Sequence, residues 1–368
     1  MAGAQAADTT DVLLRDGGPR IRLGDAEFAL GLRLQTDAVY FDDDITPLDD
    51  GADARRLRLT LSGKFSKNWE YKYEYDFKPR ETTDAFIKYN TLEHGSFTVG
   101  QFALPISLDD QTSSKWVSFI ERSLPALTFA PGRLLGLKYN ATGEQWMLQT
   151  ALQFDRIDDE ERAGDDPIRY TGRLAFSPVH EPERALHAGV AVIYTDVADS
   201  EAADFVRFRS RPEARIDGTP ALVDTGNFTA DHYWLRTVEL AGLWGPWSAQ
   251  AEWIAAATSG PTDYDFSSYT IQASWFLNGQ RMYRFNEAQF DKPRLNANAW
   301  ELAARLSQVD LTDADLSGGV ERNLSLGVNW YPSIVLRFSL NLIEAKLSER
   351  TSPDETVRIV ALRAQMTF

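Results

Sequence analysis

The sequence predicts an all-β fold, a transmembrane antiparallel β-barrel of about 16 strands that occupies residues 26–368. Three observations predict it. Apolar and polar residues alternate from about residue 26 to the last residue, which is the period of a strand with two unlike faces. The alternating segments are about 9–14 residues long, close to what a tilted membrane-crossing strand needs and longer than the usual globular strand. No segment keeps a convincing helical period over 12 residues.

Residues 69–77 form the clearest predicted strand, because their odd-numbered positions are all aromatic and their even-numbered positions are all charged. A soluble β-sandwich array or propeller would also alternate, but the strand lengths and the lack of a blade-length repeat disfavour both. The predicted strands cover residues 26–41, 54–66, 69–78, 83–91, 95–102, 133–142, 144–155, 168–177, 185–195, 233–245, 247–258, 267–278, 299–312, 319–331, 334–347 and 355–368.

The connections between these strands are alternately short and long, as the two ends of an outer-membrane barrel require. Short turns, such as 67–68 and 245–246, are expected at the periplasmic end. Long polar loops are expected outside at residues 42–53, 103–132, 156–167, 196–232, 259–266 and 313–318. Residues 279–298 are long yet fall on the periplasmic side, so they either enter the lumen or reveal a wrong strand count. Residues 1–25 are expected to be a short N-terminal periplasmic segment of a processed chain.

The composition excludes several classes of function. The chain carries 38 Lys and Arg against 54 Asp and Glu, a net charge of -16, which disfavours a nucleic acid partner. With no Cys and four His, most metal and cofactor sites lose their ligands, and no cofactor is expected. The common phosphate-loop, zinc-protease and serine-hydrolase motifs are absent, so no enzyme is predicted. The nonspecific group of Thr229, Asp231 and His232 leaves an outer-membrane hydrolase as an alternative.

Six segments together resemble the phosphate-selective porin O and P family, whose members are trimers of sixteen-stranded barrels. The most specific piece is Glu-Arg-Ser-Leu-Pro at 121–125. The resembling segments are residues 63–75, 84–89, 99–105, 113–125, 131–136 and 299–305. The resemblance implies a porin of the bacterial outer membrane, a homotrimer, and a third loop folded inward as the constriction. It implies small inorganic anions such as phosphate and pyrophosphate as substrates, with outer-membrane lipid and lipopolysaccharide around the barrel.

Four arginines stand at regular spacing in the fifth predicted outer loop. Arg207, Arg209 and Arg211 fall on one side of an extended run, roughly 6.6 Å apart, with Arg215 just beyond them. A guanidinium offers a planar fork of donors to two oxygens, so this arginine ladder can replace part of an anion's water shell. By resemblance, the ladder leads anions to the constriction. The alternatives are ion pairs with acidic loops or contacts with lipid phosphates.

The phase of the alternation predicts further luminal cations. Arg33 is opposite in phase to the leucines around it, and so are Arg56 and Arg58, so all three should face the lumen. Arg55 is similar to one of the family's paired arginines at the pore waist. Its phase turns it outward unless the strand bulges at this point.

Two cations lie in the loop that the resemblance folds inward, Lys115 and Arg122. Lys115 is a candidate for anion binding. Arg122 either binds anions or forms a structural pair with Glu121, and the two interpretations are equally open.

Acidic residues crowd two of the outer loops, at 42–53 and 155–166. Carboxylates at this density either hold divalent cations that bridge lipopolysaccharide phosphates, or form a solvated rim. No metal site is predicted.

The function expected first is passive diffusion of anions, with phosphate or polyphosphate as substrate, through an arginine-lined constriction. Selectivity depends on the charges at the constriction rather than on net charge. The alternatives are a general or cation-tolerant porin of the same fold, the hydrolase, and a structural or adhesive barrel.

Overall fold

A computed structural model describes residues 10–15, 18–91, 94–159, 166–181, 183–197 and 205–368. Two short helices are present in this part of the chain, α1 (Leu108–Gln111) and α2 (Leu124–Phe129), and a 3-10 turn at Phe285–Glu287. The strands are β1 (Thr10–Arg15), β2 (Gly18–Leu23), β3 (Ala26–Asp42), β4 (Gly51–Lys64), β5 (Trp69–Asp76), β6 (Glu81–Asn90), β7 (Gly95–Ala103), β8 (Arg133–Thr142), β9 (Trp146–Gln153), β10 (Ile168–Glu181), β11 (Arg184–Asp196), β12 (Phe205–Val206), β13 (Arg209–Ser210), β14 (Val223–Asp224), β15 (Phe228–Thr229), β16 (His232–Trp244), β17 (Trp247–Ser259), β18 (Asp265–Phe276), β19 (Gly279–Arg284), β20 (Gln289–Leu295), β21 (Ala299–Asp313), β22 (Leu316–Tyr331), β23 (Leu336–Arg350) and β24 (Glu355–Thr367).

The described strands close into an antiparallel barrel of 16, made of β3–β11, β16–β18 and β21–β24. Each strand pairs with the next, and β24 returns to β3, where Thr367 lies opposite Arg33. The chain end continues this seam, because Leu32 and Phe368 exchange both backbone hydrogen bonds. Both the fold class and the strand number predicted from the alternation are confirmed.

The two faces of the wall differ as the alternation requires. In β11 the outward Leu186 and Val190 are exposed, whereas the inward His187 is buried. Aromatic rings line the outer wall near its periplasmic edge, where Trp247 stacks on Trp275 at 5.2 Å between ring centroids. None of the helices in the described ranges is long and apolar enough to cross a membrane.

Loop 3, residues 104–132, folds into the barrel as the resemblance implied. Luminal side chains of the wall hold its backbone: Asn329 donates to the Ser118 carbonyl at 2.7 Å and Arg337 to the Val117 carbonyl at 2.7 Å. The Ile120 amide donates to Asn341 at 2.8 Å. Because these bonds satisfy buried backbone groups, the loop is fixed across the lumen.

In loop 5, the described segment 205–231 packs onto loop 3 from the extracellular side. Its buried Glu213 accepts a hydrogen bond from the Leu124 amide at 3.0 Å and pairs with Arg305 of the wall at 2.7 Å. The rings of Phe208 and Phe129 meet edge to face at 5.2 Å between centroids. These contacts fix the position of the arginine ladder within the extracellular half of the lumen.

The long periplasmic connection folds back into the lumen as the hairpin of β19 and β20. Arg281 donates to the Trp116 carbonyl of loop 3 at 2.7 Å, and Arg173 of the wall donates to the Ala288 carbonyl at 2.8 Å. Of the two interpretations of residues 279–298, entry into the lumen is therefore the correct one, and the strand count stands.

A hairpin of β1 and β2 lies at the N-terminal end, where β2 pairs with the first residues of β3. Gly18 is required at its turn, because its φ is +87° and a Cβ there would come within 2.2 Å of the Leu30 carbonyl oxygen. The expected periplasmic segment 1–25 thus includes a hairpin, and its residues 1–9 and 16–17 lie outside the described part.

Candidate functional site

The predicted luminal arginines of the wall all face inward. Arg33, Arg56 and Arg58 are buried inside the barrel, whereas Leu57 and Leu59 point outward. The β3–β4 register passes from Gln35 opposite Arg56 to Thr36 opposite Ala54, so Arg55 is the extra residue of a bulge. The bulge brings Arg55 to the lumen beside Arg56. From the phase of the strand, Arg55 is expected to face the lumen only if a bulge is present here.

Arg55 and Arg56 converge on one carboxylate of loop 3. Glu121 accepts from Arg55 at 2.7 and 3.1 Å, and it lies 3.4 Å from Arg56 and 3.1 Å from Arg363. Arg363 also grips Asp37 through two bonds of 2.6 Å. Burial opposes ionisation, but the Arg55, Arg56 and Arg363 charges hold the pKa of Glu121 well below its usual range. We call Asp37, Arg55, Arg56, Glu121 and Arg363 the waist cluster.

Arg58 and Arg33 have different surroundings from the waist cluster. Arg58 is held by Asp76 at 2.6 Å and by Glu74 at 3.0 Å, and it borders none of the three cavities described below. Arg33 donates to Ser114 at 2.8 Å and lies 3.5 Å from Glu74. It also lines a cavity on the periplasmic side. Of these two, Arg33 is the one placed to meet a solute.

The arginine ladder surrounds a cavity of about 280 Å³ under the extracellular mouth. Arg207 is engaged by Asp224, with an Nε–Oδ1 distance of 2.7 Å. Within the described ranges, the side chains of Arg209, Arg211 and Arg215 form no hydrogen bond or ion pair. All four arginines line the cavity together with Leu127, Thr128 and Pro212. The ladder therefore presents three guanidinium groups that have no ion-pair partner within 4 Å to the space between them.

A second cavity, of about 220 Å³, connects the ladder to the waist cluster because Arg211, Arg215 and Arg55 all line it. Lys78 also lines it, but Asp53 and Asp217 compensate this ammonium, the latter at 3.0 Å. Burial first, and then the Arg55 charge, lower the pKa of Arg215 to about 10. An anion leaving the ladder meets Arg55 next.

A third and larger cavity, of about 850 Å³, lies on the periplasmic side between loop 3 and the β19–β20 hairpin. Arg20, Arg33, Lys72, Lys115, Arg284 and Lys292 contribute its positive charges, and Glu74 and Asp291 its negative ones. The Lys115 ammonium forms no ion pair within the described residues. Burial and the nearby Arg33 and Lys72 lower its pKa to about 8.

The second cation of loop 3, Arg122, has a structural position. It donates to the carbonyls of Asp109, Asp110 and Thr112 at 3.1, 2.8 and 3.0 Å, and it also lies 3.4 Å from the Asp110 carboxylate. The pair with Glu121 that the sequence left open is not formed, because Glu121 turns to Arg55 instead. Arg122 braces the loop rather than lining any of the three cavities.

The sequence analysis missed three functional partners. Arg363 and Arg305 alternate in phase with the luminal side of β24 and β21, so the phase argument applied to Arg33 would have found both. Glu213 is the only carboxylate between Arg207 and Arg215 in the sequence, and its separation from Arg305 along the chain hid their contact. Whether the candidate residues bind anions stays a prediction.

Some carboxylates of the acidic loops form hydrogen bonds or ion pairs within the protein. Asp50 accepts from the Phe41 amide at 2.7 Å, and Asp155 lies 3.2 Å from Arg169. Residues 160–165 lie outside the described part. Among the residues that the structure describes, no group of three or more His, Asp or Glu side chains is arranged to hold a metal ion.

Comparisons with known proteins place this pore among outer-membrane channels. The sequence model of the phosphate-selective porin O and P family matches residues 28–368. Porin O of Pseudomonas aeruginosa is 28% identical, over 95% of this chain and 91% of its own. Two solved structures share the fold at 12% identity. The trimer form of OmpT of Vibrio cholerae has a TM-score of 0.59, covering 93% of this chain and 99% of its own. An anion-selective porin from Comamonas acidovorans has 0.57, covering 94% and 100%.

Proposed function

The chain belongs to the phosphate-selective porin O and P family, and we propose that this outer-membrane porin conducts anions selectively through its arginine-lined constriction. The proposed substrates are phosphate and polyphosphate, including pyrophosphate. Its place in the bacterial outer membrane follows from the family, whose relatives are channels and not enzymes. The proposed assembly is a homotrimer, and the OmpT neighbour also has a trimer form. We propose that outer-membrane lipid and lipopolysaccharide surround it.

The observation that carries the proposal is the set of three unpaired guanidinium groups, Arg209, Arg211 and Arg215, around one cavity. Charged groups in a narrow pore interact more strongly than exposed ones, because less water screens them. Each guanidinium presents a donor fork that fits two oxygens of an oxyanion, so successive groups replace the water that phosphate loses. The Thr128 hydroxyl oxygen on the same wall is buried and unpartnered within the described residues, and it offers one further donor.

The cation-tolerant alternative depends on acidic residues, which crowd the outer loops 42–53 and 155–166 and also occur in the lumen. Glu74, Asp76 and Asp84 line the wall of β5 and β6, and the net charge of the chain is -16. These carboxylates are engaged by cations, since Arg58 holds Asp76 at 2.6 Å and Arg133 holds Asp84 at 2.9 Å. Because Glu74, Asp76 and Asp84 are held by cations, whereas Arg209, Arg211 and Arg215 form no ion pair within the described residues, this part of the lumen favours anions.

Phosphate block of chloride current tests the proposal. Purified trimers in a planar bilayer carry chloride current, and phosphate is then added in increasing concentration. A site that holds phosphate more tightly than chloride gives a saturable decrease in current. A current that phosphate leaves unchanged would rule out phosphate as a preferred substrate.

Removing one unpaired ladder charge should slow anion capture. We expect Arg209→Ala to lower the rate at which phosphate enters the pore by several-fold at low salt and by less at high salt, since screening shortens the reach of the charge. The on-rate of block in single-channel records measures this. The double variant Arg207→Ala with Asp224→Asn is the matched control, because it removes an ion pair from the ladder without changing the net charge, and equal effects of the two variants would contradict the proposal.

Anion selectivity should fall between pH 7 and pH 9. Lys115 has a pKa of about 8, so its ammonium is mostly charged at pH 7 and mostly neutral at pH 9. The periplasmic cavity then loses one positive charge as the pH rises. The chloride-to-potassium permeability ratio measured across this range should decrease in the parent protein and decrease less in Lys115→Arg. A decrease of equal size in Lys115→Arg would assign the titration to another group.

A further inference from the structure

Within the waist cluster, the Glu121 carboxylate occupies the position on Arg55 where an anion from solution could bind. We propose that the Glu121 carboxylate is a tethered competitor for the phosphate site, which a passing oxyanion displaces from Arg55, so that Glu121 sets how tightly the pore holds its substrate. This inference rests on the proposed function, because it names the residue that determines affinity at the same constriction.

The contacts of Glu121 are those expected of a bound oxyanion. Its two carboxylate oxygens accept from two different nitrogens of Arg55, at 2.7 and 3.1 Å, which is the bidentate geometry that guanidinium also forms with phosphate. The side chain is 2% exposed and has Arg363 on another side at 3.1 Å. An oxyanion with two acceptor oxygens matches this arrangement, whereas a halide offers a single acceptor.

The position of Arg55 allows exchange. Its side chain is 19% exposed and lines the 220 Å³ cavity that the ladder also lines, while Arg363 is fully buried against Asp37. An anion arriving from Arg211 and Arg215 therefore reaches Arg55 first. As it binds there, Glu121 keeps Arg363, and no proton has to move.

The backbone of loop 3 restricts this exchange to the carboxylate. The Glu121 carbonyl accepts from Arg305 at 3.1 Å, and the adjacent Ile120 amide donates to Asn341 at 2.8 Å. With the main chain held on both sides, a rotation of the side chain is enough to release Arg55. The loop keeps its place while the anion passes.

The charge balance shows why a tethered anion is useful in a channel. Three guanidinium groups of the waist cluster face two carboxylates, so one net positive charge remains. Without the Glu121 charge two would remain, in a site where screening is weak. Conduction needs a site that is attractive enough to be entered and weak enough to be left. The negative charge of Glu121 weakens anion binding at the waist cluster.

The test compares Glu121→Gln with Glu239→Gln in phosphate block of chloride current. Glu239 is an equally buried carboxylate paired with Arg173 at 2.7 Å, and it lines none of the three cavities. Glu121→Gln should lower the half-blocking phosphate concentration about tenfold or more, since a charge-assisted hydrogen bond is worth about 1.5–3 kcal/mol and tenfold is about 1.4 kcal/mol. It should also lengthen each block. Glu239→Gln should leave both unchanged.

The inference is overturned if Glu121→Gln, still heat-modifiable and trimeric, shows unchanged or weaker block, because Glu121 would then act as a brace that positions the arginines. If Glu121→Gln does not assemble, Glu121→Asp replaces it: the shorter carboxylate withdraws from Arg55, and block should still strengthen. If phosphate blocks the parent channel but neither variant is blocked more strongly than the parent, this inference is wrong and the proposed function stands. A parent channel that phosphate does not block sinks the proposed function and the inference together.

Discussion

Arg55→Ala should weaken phosphate block of chloride current about ten- to hundredfold. The substitution removes the guanidinium that lines the cavity between ladder and waist, and it leaves Glu121 with less positive charge around it. The loss of charge-assisted hydrogen bonds of about 1.5–3 kcal/mol each corresponds to this range. The measurement is the half-blocking phosphate concentration at constant chloride.

Two further variants show whether Arg55 acts through its charge at this position. Arg322→Ala removes the same charge from the outward face of β22 and should leave the block unchanged. The double variant Arg55→Ala with Glu121→Gln restores the charge balance of the waist cluster and should recover part of the lost affinity. Unchanged block in Arg55→Ala would show that phosphate passes without meeting the waist.

Arg363→Ala should lower the free energy of unfolding by about 3–5 kcal/mol. Arg363 is fully buried and forms two bonds of 2.6 Å to Asp37, one to the Ile120 carbonyl and one to Glu121. Removing it leaves the Asp37 carboxylate buried without its partner, and breaking one side of a buried ion pair costs about this much. Loop 3 should loosen as well, which noisier open-channel currents would report.

The unfolding midpoint in detergent, followed by the temperature of the heat-modifiable band and by denaturant titration, measures the loss. Arg358→Ala is the matched control on the same strand, because its side chain is 65% exposed on the outer wall and its ion pairs are 3.6 Å or longer. Exposed pairs are worth about 0–1 kcal/mol. Equal losses in the two variants would mean that Arg363 does not anchor loop 3.

The wall of the barrel could be predicted from the sequence because its information is local. A period of two fixes the strand, and the phase of Arg33, Arg56 and Arg58 against neighbouring leucines fixes the face. The orientation of Arg55 could not be predicted from the phase of the strand. A bulge changes the phase at a single residue, and its presence depends on the register of β3 against β4 rather than on either sequence alone.

The contents of the lumen could not be predicted in the same way. Glu121 meets Arg55 and Arg363 across long stretches of chain because loop 3 folds inward, and the phase of a strand says nothing about a loop. The same holds for Arg122, whose donors go to carbonyls of its own loop. The arginine ladder could be predicted from the sequence because the prediction depends on spacing within one extended run, whereas the pairing of Arg207 with Asp224 depends on how loop 5 folds.

We propose that ladder arginines without an ion-pair partner make this pore select anions despite a net charge of -16. The most direct test is the reversal potential of a single channel in a KCl gradient at neutral pH. We expect a reversal potential close to the chloride equilibrium potential. It should shift towards the potassium equilibrium potential when Arg209, Arg211 and Arg215 are all replaced by alanine. A parent channel that reverses near the potassium equilibrium potential would contradict it and establish the cation-tolerant porin instead.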